Sequence, residues 1–368
     1  MKILYITNKI SPAGGLERVL ALKTGSLADV YGHEVHILTL NQQDEPVFHD
    51  FSQKIKMHDL VVGPGILDYV TGYIKGIQNI VSKLQPDLID VCDDGLKAFF
   101  LPLILNRKYP IVYERHVSKI IEFNTSNISL LKRGIIEIKF ALMDYLAKYF
   151  TRFVVLTNKN REEWNLPNLV VMPNPLTFFP DQVSTLKSKK AIAVGRHAFQ
   201  KGFDLLLNAW KPVAEKYPDW ELEIYGKEEK EIGLRRLAEN LRILNSVSFF
   251  EPVKDIQQKY LESSFYILAS RFEGFGMVLT EAMACGLPCI SFDCPCGPSD
   301  IILHGEDGLL VDNGNIEKLS RDILYMIENE EARVSMGTLA RQNVQRFSKD
   351  EIVSRWNILF LSLTNLKA

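Results

Sequence analysis

Apolar residues in this chain gather into short unbroken runs. Each run gives way to a turn rich in glycine, proline or polar residues, and then to a stretch whose apolar positions recur every three or four residues. That alternation predicts strands of a parallel sheet joined by helices. The predicted first half runs strand KILYIT (2–7), a glycine loop, a helix near 16–31, strand EVHILTL (34–40), strand KIKMHDL (54–60), a GPG turn (63–65) and a helix near 67–84. It continues with strand DLIDV (87–91), a helix near 95–106, strand PIVYE (110–114), a long helical region and strand RFVVLT (152–157). VMPNPL (171–176), with two prolines and an asparagine, reads as a hinge, and a polar stretch follows at 180–190. The alternation then restarts with AIAVGR (191–196), helix 203–217, ELEIYG (221–226), helix 228–244, VSFFE (247–251), helix 254–262 and FYILAS (265–270). Helix 277–285, CISF (289–292), GLLV (308–311) and helices near 315–329 and 330–346 complete it. An apolar helical segment at 351–366 is expected to cross back to the first half.

Two halves with one architecture predict an α/β protein of two doubly wound, Rossmann-like domains facing each other across a cleft. The expected bounds are 1–176 with 351–368, and 177–350. A length of 368 residues suits two domains of roughly 150–200 residues each. Ligands of such sheets bind beyond the carboxyl ends of the strands, so the loops after the strands are where chemistry is expected.

Composition removes several classes. Hydrophobic residues at 46 % and charged residues at 24 % describe an ordinary soluble globular chain. A net charge of −2 leaves no electrostatic footprint for nucleic acid. The start, MKILYIT, has one lysine and then a strand-like run, too short for a signal-peptide core. No window approaches about 20 uninterrupted apolar residues. The expected location is the cytoplasm, with peripheral contact at the inner face of the cell membrane. That contact would come from 119–152, where six cations and three acids interleave with Ile, Leu, Phe and Tyr. Such a segment suits an anionic membrane surface, and equally a core-packing helix with a solvated basic face. Four of the five cysteines fall as C-x3-C-x4-C-x-C from Cys285 to Cys296, a spacing that matches none of the usual zinc patterns. No metal and no cofactor is expected.

Four loops carry candidate chemistry. After the first strand, NKISPAGGLE (8–17) places Gly14 and Gly15 where backbone can approach a ligand closely. It is not G-x-G-x-x-G, which disfavours a nicotinamide oxidoreductase. In the second half the equivalent loop is Gly195-Arg196-His197-Ala198-Phe199-Gln200-Lys201-Gly202. Arg196 and Lys201 could meet one diphosphate from two sides, arginine as a fork and lysine as a point charge. Beyond FYILAS, a turn with Gly274 and Gly276 opens a helix and sets Glu273 eight residues before Glu281. A helix N-terminus is an anion site, and two acids beside it are costly unless they hold hydroxyls. Together they suit a ligand that is part phosphate and part sugar. Glu114-Arg115-His116 ends a first-half strand, where His116 could touch substrate or simply pack. The chain contains no D-x-D, which leaves Arg196 and Lys201 to neutralise a diphosphate and stabilise its departure.

Taken in order, these motifs resemble the retaining GT-B glycosyltransferases of family 4 over most of the chain, most strongly from 190 to 312. The resemblance rests on E-x7-E (Glu273 to Glu281), Gly195, Arg196 and Lys201, the pair Gly14 and Gly15, and PNP at 173–175. It implies an N-terminal acceptor-side domain, a C-terminal nucleotide-sugar donor domain, and a metal-independent transfer. It implies Arg196 and Lys201 on the diphosphate, Glu281 on the ribose, and Glu273 on the donor sugar. It further implies backbone amides of Phe275, Gly276 and Met277 at the sugar and phosphate, and Gly15 closing over the diphosphate. His116 would lie near donor sugar and acceptor, and residues around Val253 would flank the base. The segment 291–302 is similar to a subgroup that moves galactose or N-acetylhexosamines onto lipid-linked glycans for bacterial surface polysaccharides. The expected partners are therefore a UDP-sugar and a glycan or polyprenyl-diphosphate-linked acceptor. Gly226 is followed by Lys227-Glu228-Glu229 where the family often has G-x-G-P, so uridine is favoured without excluding a GDP-mannose-dependent transferase. A UDP-sugar 2-epimerase of GT-B architecture and a non-catalytic sugar-nucleotide binder are the remaining alternatives.

Overall fold

The computed structural model describes residues 1–11, 14–119 and 129–364, and the chain divides into two compact units. Residues 1–177 and 349–368 form the first, and residues 178–348 the second. Pro12 and Ala13 of the glycine loop and residues 120–128 of the basic segment lie outside the described residues.

The first unit runs β1 (Lys2–Thr7), α1 (Gly15–Asp29), β2 (Glu34–Leu40), β3 (Lys56–Leu60), α2 (Ile66–Leu84) and β4 (Leu88–Cys92). A 3₁₀ turn (Leu96–Phe100) leads into α3 (Leu101–Ile104), followed by β5 (Ile111–Arg115), α4 (Leu130–Ala147), β6 (Arg152–Val155), α5 (Asn158–Glu162) and β7 (Leu169–Val171). The strands form one parallel sheet in the order β3-β2-β1-β4-β5-β6-β7. Alternate residues of β1 divide between its faces. Ile3 and Tyr5 pack with Leu20 and Leu27 of α1, while Leu4 and Ile6 pack with Tyr73 and Ile77 of α2 and Phe140 and Met143 of α4. Both faces being covered is why the strands read as unbroken apolar runs. The strand order reverses between β1 and β4, which places Thr7 beside Cys92 at the sheet's carboxyl edge.

The second unit repeats the plan. It runs β8 (Lys190–Val194), a 3₁₀ turn (Phe199–Lys201), α6 (Phe203–Lys216), β9 (Glu221–Tyr225), α7 (Leu234–Leu241), β10 (Val247–Phe250), α8 (Ile256–Leu261) and β11 (Phe265–Leu268). Then come α9 (Met277–Ala284), β12 (Cys289–Asp293), α10 (Pro298–Ile301), β13 (Gly308–Asp312), α11 (Ile316–Glu328) and α12 (Glu330–Asn343). Its parallel sheet has the order β10-β9-β8-β11-β12-β13 around a core that includes Trp210, Trp220, Phe265 and Phe292. Here the order reverses between β8 and β11. The last helix, α13 (Lys349–Thr364), buries Trp356 and Phe360 against the first unit's sheet beside α1.

Three sequence expectations change. The helix near 95–106 is a 3₁₀ turn and one α-helical turn. Pro102 lacks an amide donor and sits in the first turn of α3, where none is needed, and Asn106 and Arg107 leave with positive φ. The helix over 228–244 is shortened to α7, because Gly233 at φ +66 interrupts it and Arg242 caps it in the left-handed region. The strand β7 is not among the expected elements, and its last residue, Val171, falls in the expected hinge; it is three half-buried residues paired to β6, too short to leave a periodic signal. Among the described residues no helix is long and apolar enough to cross a membrane.

Candidate active site

In the second unit the two strands at the reversal, β8 and β11, each end in a candidate loop. Lys201 follows β8 and Glu273 follows β11. The Lys201 ammonium lies 2.7 Å from Glu273 Oε1, and the Ser270 hydroxyl donates to the same oxygen at 2.6 Å. Glu273 is 6 % exposed, and burying a carboxylate without a partner is costly. Lys201 supplies the counter-charge and Ser270 a hydrogen bond. The main-chain N–H of Glu273 donates to Pro295 O at 3.1 Å, which seats the turn against the loop after β12. Gly276, at φ +96, turns the chain into α9 and offers no side-chain cap. The first amides of a helix have no intrahelical acceptor, so the start of α9 remains a donor surface. Glu281, one turn further on, is buried at 4 % exposure and accepts a 3.5 Å hydrogen bond from Tyr260 Oη. At its other end α9 closes with Gly286 N–H donating to Met283 O and Leu287 N–H to Ala282 O, a Schellman arrangement.

The other expected residues of this unit are less constrained. Arg196 is exposed, 4.0 Å from Glu229 Oε1. Gly195 donates its N–H to Tyr225 O at 2.9 Å, which ties the loop to β9. Val253 is exposed on the loop before α8, and Met277 is half-buried at the helix start. The Phe275 side chain is core, edge-on to Phe347 with centroids 5.5 Å apart, so only its backbone is available to a ligand. Sequence reasoning treated Lys201 and Glu273 as separate contacts; the structure joins them in one ion pair. It missed Ser270 and the neighbouring Arg271–Asp204 pair.

In the first unit Gly14 caps α1 with an extended backbone, and its carbonyl accepts from His49 Nε2 at 3.3 Å. Gly15 is the first residue of α1. The three atoms nearest to a Cβ on Gly14 all belong to the Glu17 side chain, whose flexible end can move aside. Local packing therefore does not require glycine there. His116 follows β5, with Nε2 3.4 Å from Glu114 Oε2 and its main-chain N–H donating to Asp94 Oδ1 at 3.2 Å. Beneath it lies a charge cluster that sequence reading missed. Lys23, on the inner face of α1, pairs with Glu114 and lies 3.4 Å from Asp90 Oδ2. Cys92 Sγ donates to Glu114 Oε1 at 2.9 Å. All four residues are buried. Burial alone would raise Glu114, but the Lys23 charge overcomes it and holds Glu114 well below the usual carboxylate range. Burial, reinforced by Glu114, pushes Asp90 well above that range. Burial would lower Lys23, but the two carboxylates outweigh it and raise it. Cys92, Glu114 and His116 form the one three-ligand group among the described residues close enough to hold an ion. The Lys23 ammonium already supplies its positive charge, so a second cation there meets repulsion.

The clustered cysteines are inert by environment. Cys285, Cys289, Cys294 and Cys296 are buried free thiols. Burial pushes the Cys285 thiol up to about 12 and raises Cys289 and Cys294 as well. The described part of 119–152 is in part a core-packing helix. Helix α4 buries Ile136, Phe140, Met143 and Leu146 against the sheet, yet Leu130, Leu131, Ile135, Ile138, Leu142 and Tyr145 are each 36–88 % exposed. Lys119 does not belong to a solvated basic face. It pairs with Asp144 and lies 3.7 Å over the Trp164 ring.

The family described as glycosyl transferases group 1 matches residues 177–343. An uncharacterized glycosyltransferase of Haemophilus influenzae is 31 % identical over 363 residues, spanning 96 % of this chain and 98 % of that protein. The amylovoran biosynthesis glycosyltransferase AmsD of Erwinia amylovora is 28 % identical over 97 % of this chain and 98 % of its own length. Among solved structures, a mutant of S. aureus TarM in complex with fondaparinux, alpha-GlcNAc-glycerol and UDP matches with a TM-score of 0.78 at 16 % identity, covering 98 % of this chain and 99 % of that one.

Replacing Lys23 with Met is expected to destabilise the first unit by about 3–5 kcal/mol, because it strands a buried carboxylate. The sign with pH follows from Glu114. In the wild type its lowered pKa gives stability that is present above the ordinary value of 4.5 and lost as pH falls through the folded value. Without Lys23, burial raises Glu114 instead, so the deficit should be largest near pH 8 and shrink near pH 5. Hydrogen exchange of peptides covering β4 and β5 at both pH values reads this; a deficit independent of pH would contradict it.

Proposed function

This chain belongs to the glycosyl transferases group 1 family, and from that premise we propose a retaining, family 4 enzyme that moves a hexose or N-acetylhexosamine from a UDP-sugar. The acceptor is a glycan or a polyprenyl-diphosphate-linked glycan of bacterial surface polysaccharide assembly. One observation carries the donor reading. A lysine and a buried carboxylate meet beside a helix N-terminus, at the carboxyl ends of the two strands where the sheet order reverses. That is where open α/β sheets bind nucleotides, and a sugar nucleotide offers phosphate to the lysine and hydroxyls to the acid. The amylovoran role of AmsD supports the polysaccharide setting, and the UDP and alpha-GlcNAc-glycerol in the TarM complex support the nucleotide and the α-linkage.

On this reading Arg196 and Lys201 hold the diphosphate and stabilise charge as it leaves. The amides of Phe275, Gly276 and Met277 add the dipole of α9. Glu281 takes the ribose, Glu273 the sugar hydroxyls, and the loop at Val253 flanks the base. Gly195 is assigned to the same donor, and Gly14, Gly15 and His116 are proposed as substrate-contacting residues of the first unit. The acceptor oxygen attacks the anomeric carbon on the face the phosphate leaves, and its proton passes to the departing phosphate. Two cations neutralise the diphosphate in a chain without D-x-D. We assign the exposed apolar face of α4, flanked by Lys132, Arg133, Lys139 and Lys148, to the anionic inner surface of the cell membrane.

UDP release should require both a UDP-sugar and a membrane-lipid acceptor; acceptor-independent turnover would favour an epimerase. Lys201→Ala should weaken UDP binding by about 10–100-fold, the value of one charge-assisted contact, as read by calorimetry. Glu273→Gln should reduce turnover more than UDP affinity, and equal losses would place Glu273 at the nucleotide instead.

The wild type should sediment with phosphatidylglycerol vesicles at low salt and not with phosphatidylcholine ones. Leu131→Glu combined with Ile138→Glu should abolish this without a change in circular dichroism. Undiminished sedimentation of the double variant would remove α4 from the membrane.

A further inference from the structure

Lys201 and Glu273 sit on loops that leave different strands, and their function as a pair depends on how those loops are held together. Each of three consecutive residues on one loop is tied to the other. The Arg271 guanidinium donates Nη1 to Asp204 Oδ1 at 2.9 Å and Nη2 to Oδ2 at 2.6 Å, a two-bond fork. Its Nη1 also donates to Phe199 O at 2.7 Å, and its Cζ lies over the Phe199 ring, 4.0 Å from the centroid. The Arg271 N–H donates to Gln200 O at 2.8 Å, and Gln200 Nε2 donates to Phe272 O at 3.0 Å. Lys201 then meets Glu273. Gly202, at φ +62, has no room for a Cβ, which would run into Ala269 O. Asp204 lies in the first turn of α6, where the helix dipole favours its charge.

We propose that Arg271 is a positioning residue that sets Lys201 for the donor diphosphate through its fork on Asp204 and its stack on Phe199. The proposal rests on the diphosphate reading of Lys201. Arg271 and Asp204 are partly exposed, 20 % and 38 % at the side chain, and such pairs contribute little to global stability. The ties converge on residues 199–201, so their loss should appear in ligand affinity rather than in unfolding. Lysine at 271 keeps the charge but has neither the planar fork nor the stacking face.

Calorimetric titration of UDP into the wild type, Arg271→Ala, Arg271→Lys, Lys201→Ala and the Arg271→Ala/Lys201→Ala double variant tests this. Arg271→Ala should weaken UDP about tenfold while shifting the melting temperature by no more than about 4 °C. Arg271→Lys should recover only part of the affinity. In the Lys201→Ala background the Arg271 substitution should add less than about twofold, the signature of two residues acting through one contact. Unchanged affinity in Arg271→Ala overturns the proposal, and so does a full additive loss in the double variant, which would make Arg271 act independently of Lys201. Wild type that binds neither UDP nor GDP overturns the donor reading itself. In that case hydrogen exchange still decides the mechanical part: peptides covering 199–202 should exchange faster in Arg271→Ala, and equal rates would show that Arg271 does not hold the loop.

Discussion

A buried carboxylate needs partners that take the place of water, and much of the second unit's architecture around the candidate site follows from that demand at Glu273. Its exposure of 6 % leaves it little water to lean on. Lys201 and Ser270 take the place of that water. Their convergence requires β8 and β11 to be neighbours, which the sheet order provides. It requires a left-handed turn at Gly276 to start α9 beside the carboxylate. It also requires the two loops to be fixed against each other, which the Arg271 fork and the Gln200 bridges accomplish.

The first unit meets the same demand with a different result. Lys23 and Glu114 are buried to 1–2 % at the side chain, and Asp90, Cys92 and Trp356 surround the lysine. Nothing can enter to replace either partner, so this pair acts as foundation for the sheet edge that carries His116. Lys201 and Glu273 keep 17 % and 7 % of their side chains exposed. On the proposed reading, that modest difference separates a pair that holds the fold from one that can exchange partners.

The strand–helix alternation was legible because both faces of each sheet are covered, which makes the strands unbroken apolar runs. Where that condition lapses, reading failed: β7 has three half-buried residues and left no pattern. The helices near 95–106 and 228–244 were overextended because local breaks outweighed propensity, at Pro102 with Asn106 and at Gly233 with Arg242. The loops of Lys201, Glu273 and His116 were visible as polar residues following apolar strands. The pairing of Lys201 with Glu273 was not, because it depends on which strands are neighbours. A signal for the buried cluster did exist. Asp90 interrupts DLIDV and Glu114 interrupts IVYER, and a charge inside a doubly covered strand calls for a partner. Its partner Lys23 was invisible among the ordinary lysines of the chain. Arg271 lies in the loop that carries Glu273, yet its role depends on Asp204 and Phe199, distant in sequence from it.

The exchangeable pair has a consequence for what the donor site favours. Under the proposed reading a free diphosphate draws Lys201 away from Glu273 and leaves the carboxylate with Ser270 as its remaining close partner. A complete sugar nucleotide draws Lys201 in the same way but returns sugar hydroxyls to Glu273, so the buried acid never loses its hydrogen bonds. The penalty falls on the ligand that lacks the sugar, because removing one partner from a buried charge costs more than the pair contributes. Product nucleotide is then held less firmly than substrate, and the pair re-forms as it leaves. A single lysine on a single buried acid can thus bias the site toward entry of the charged donor and exit of the spent one.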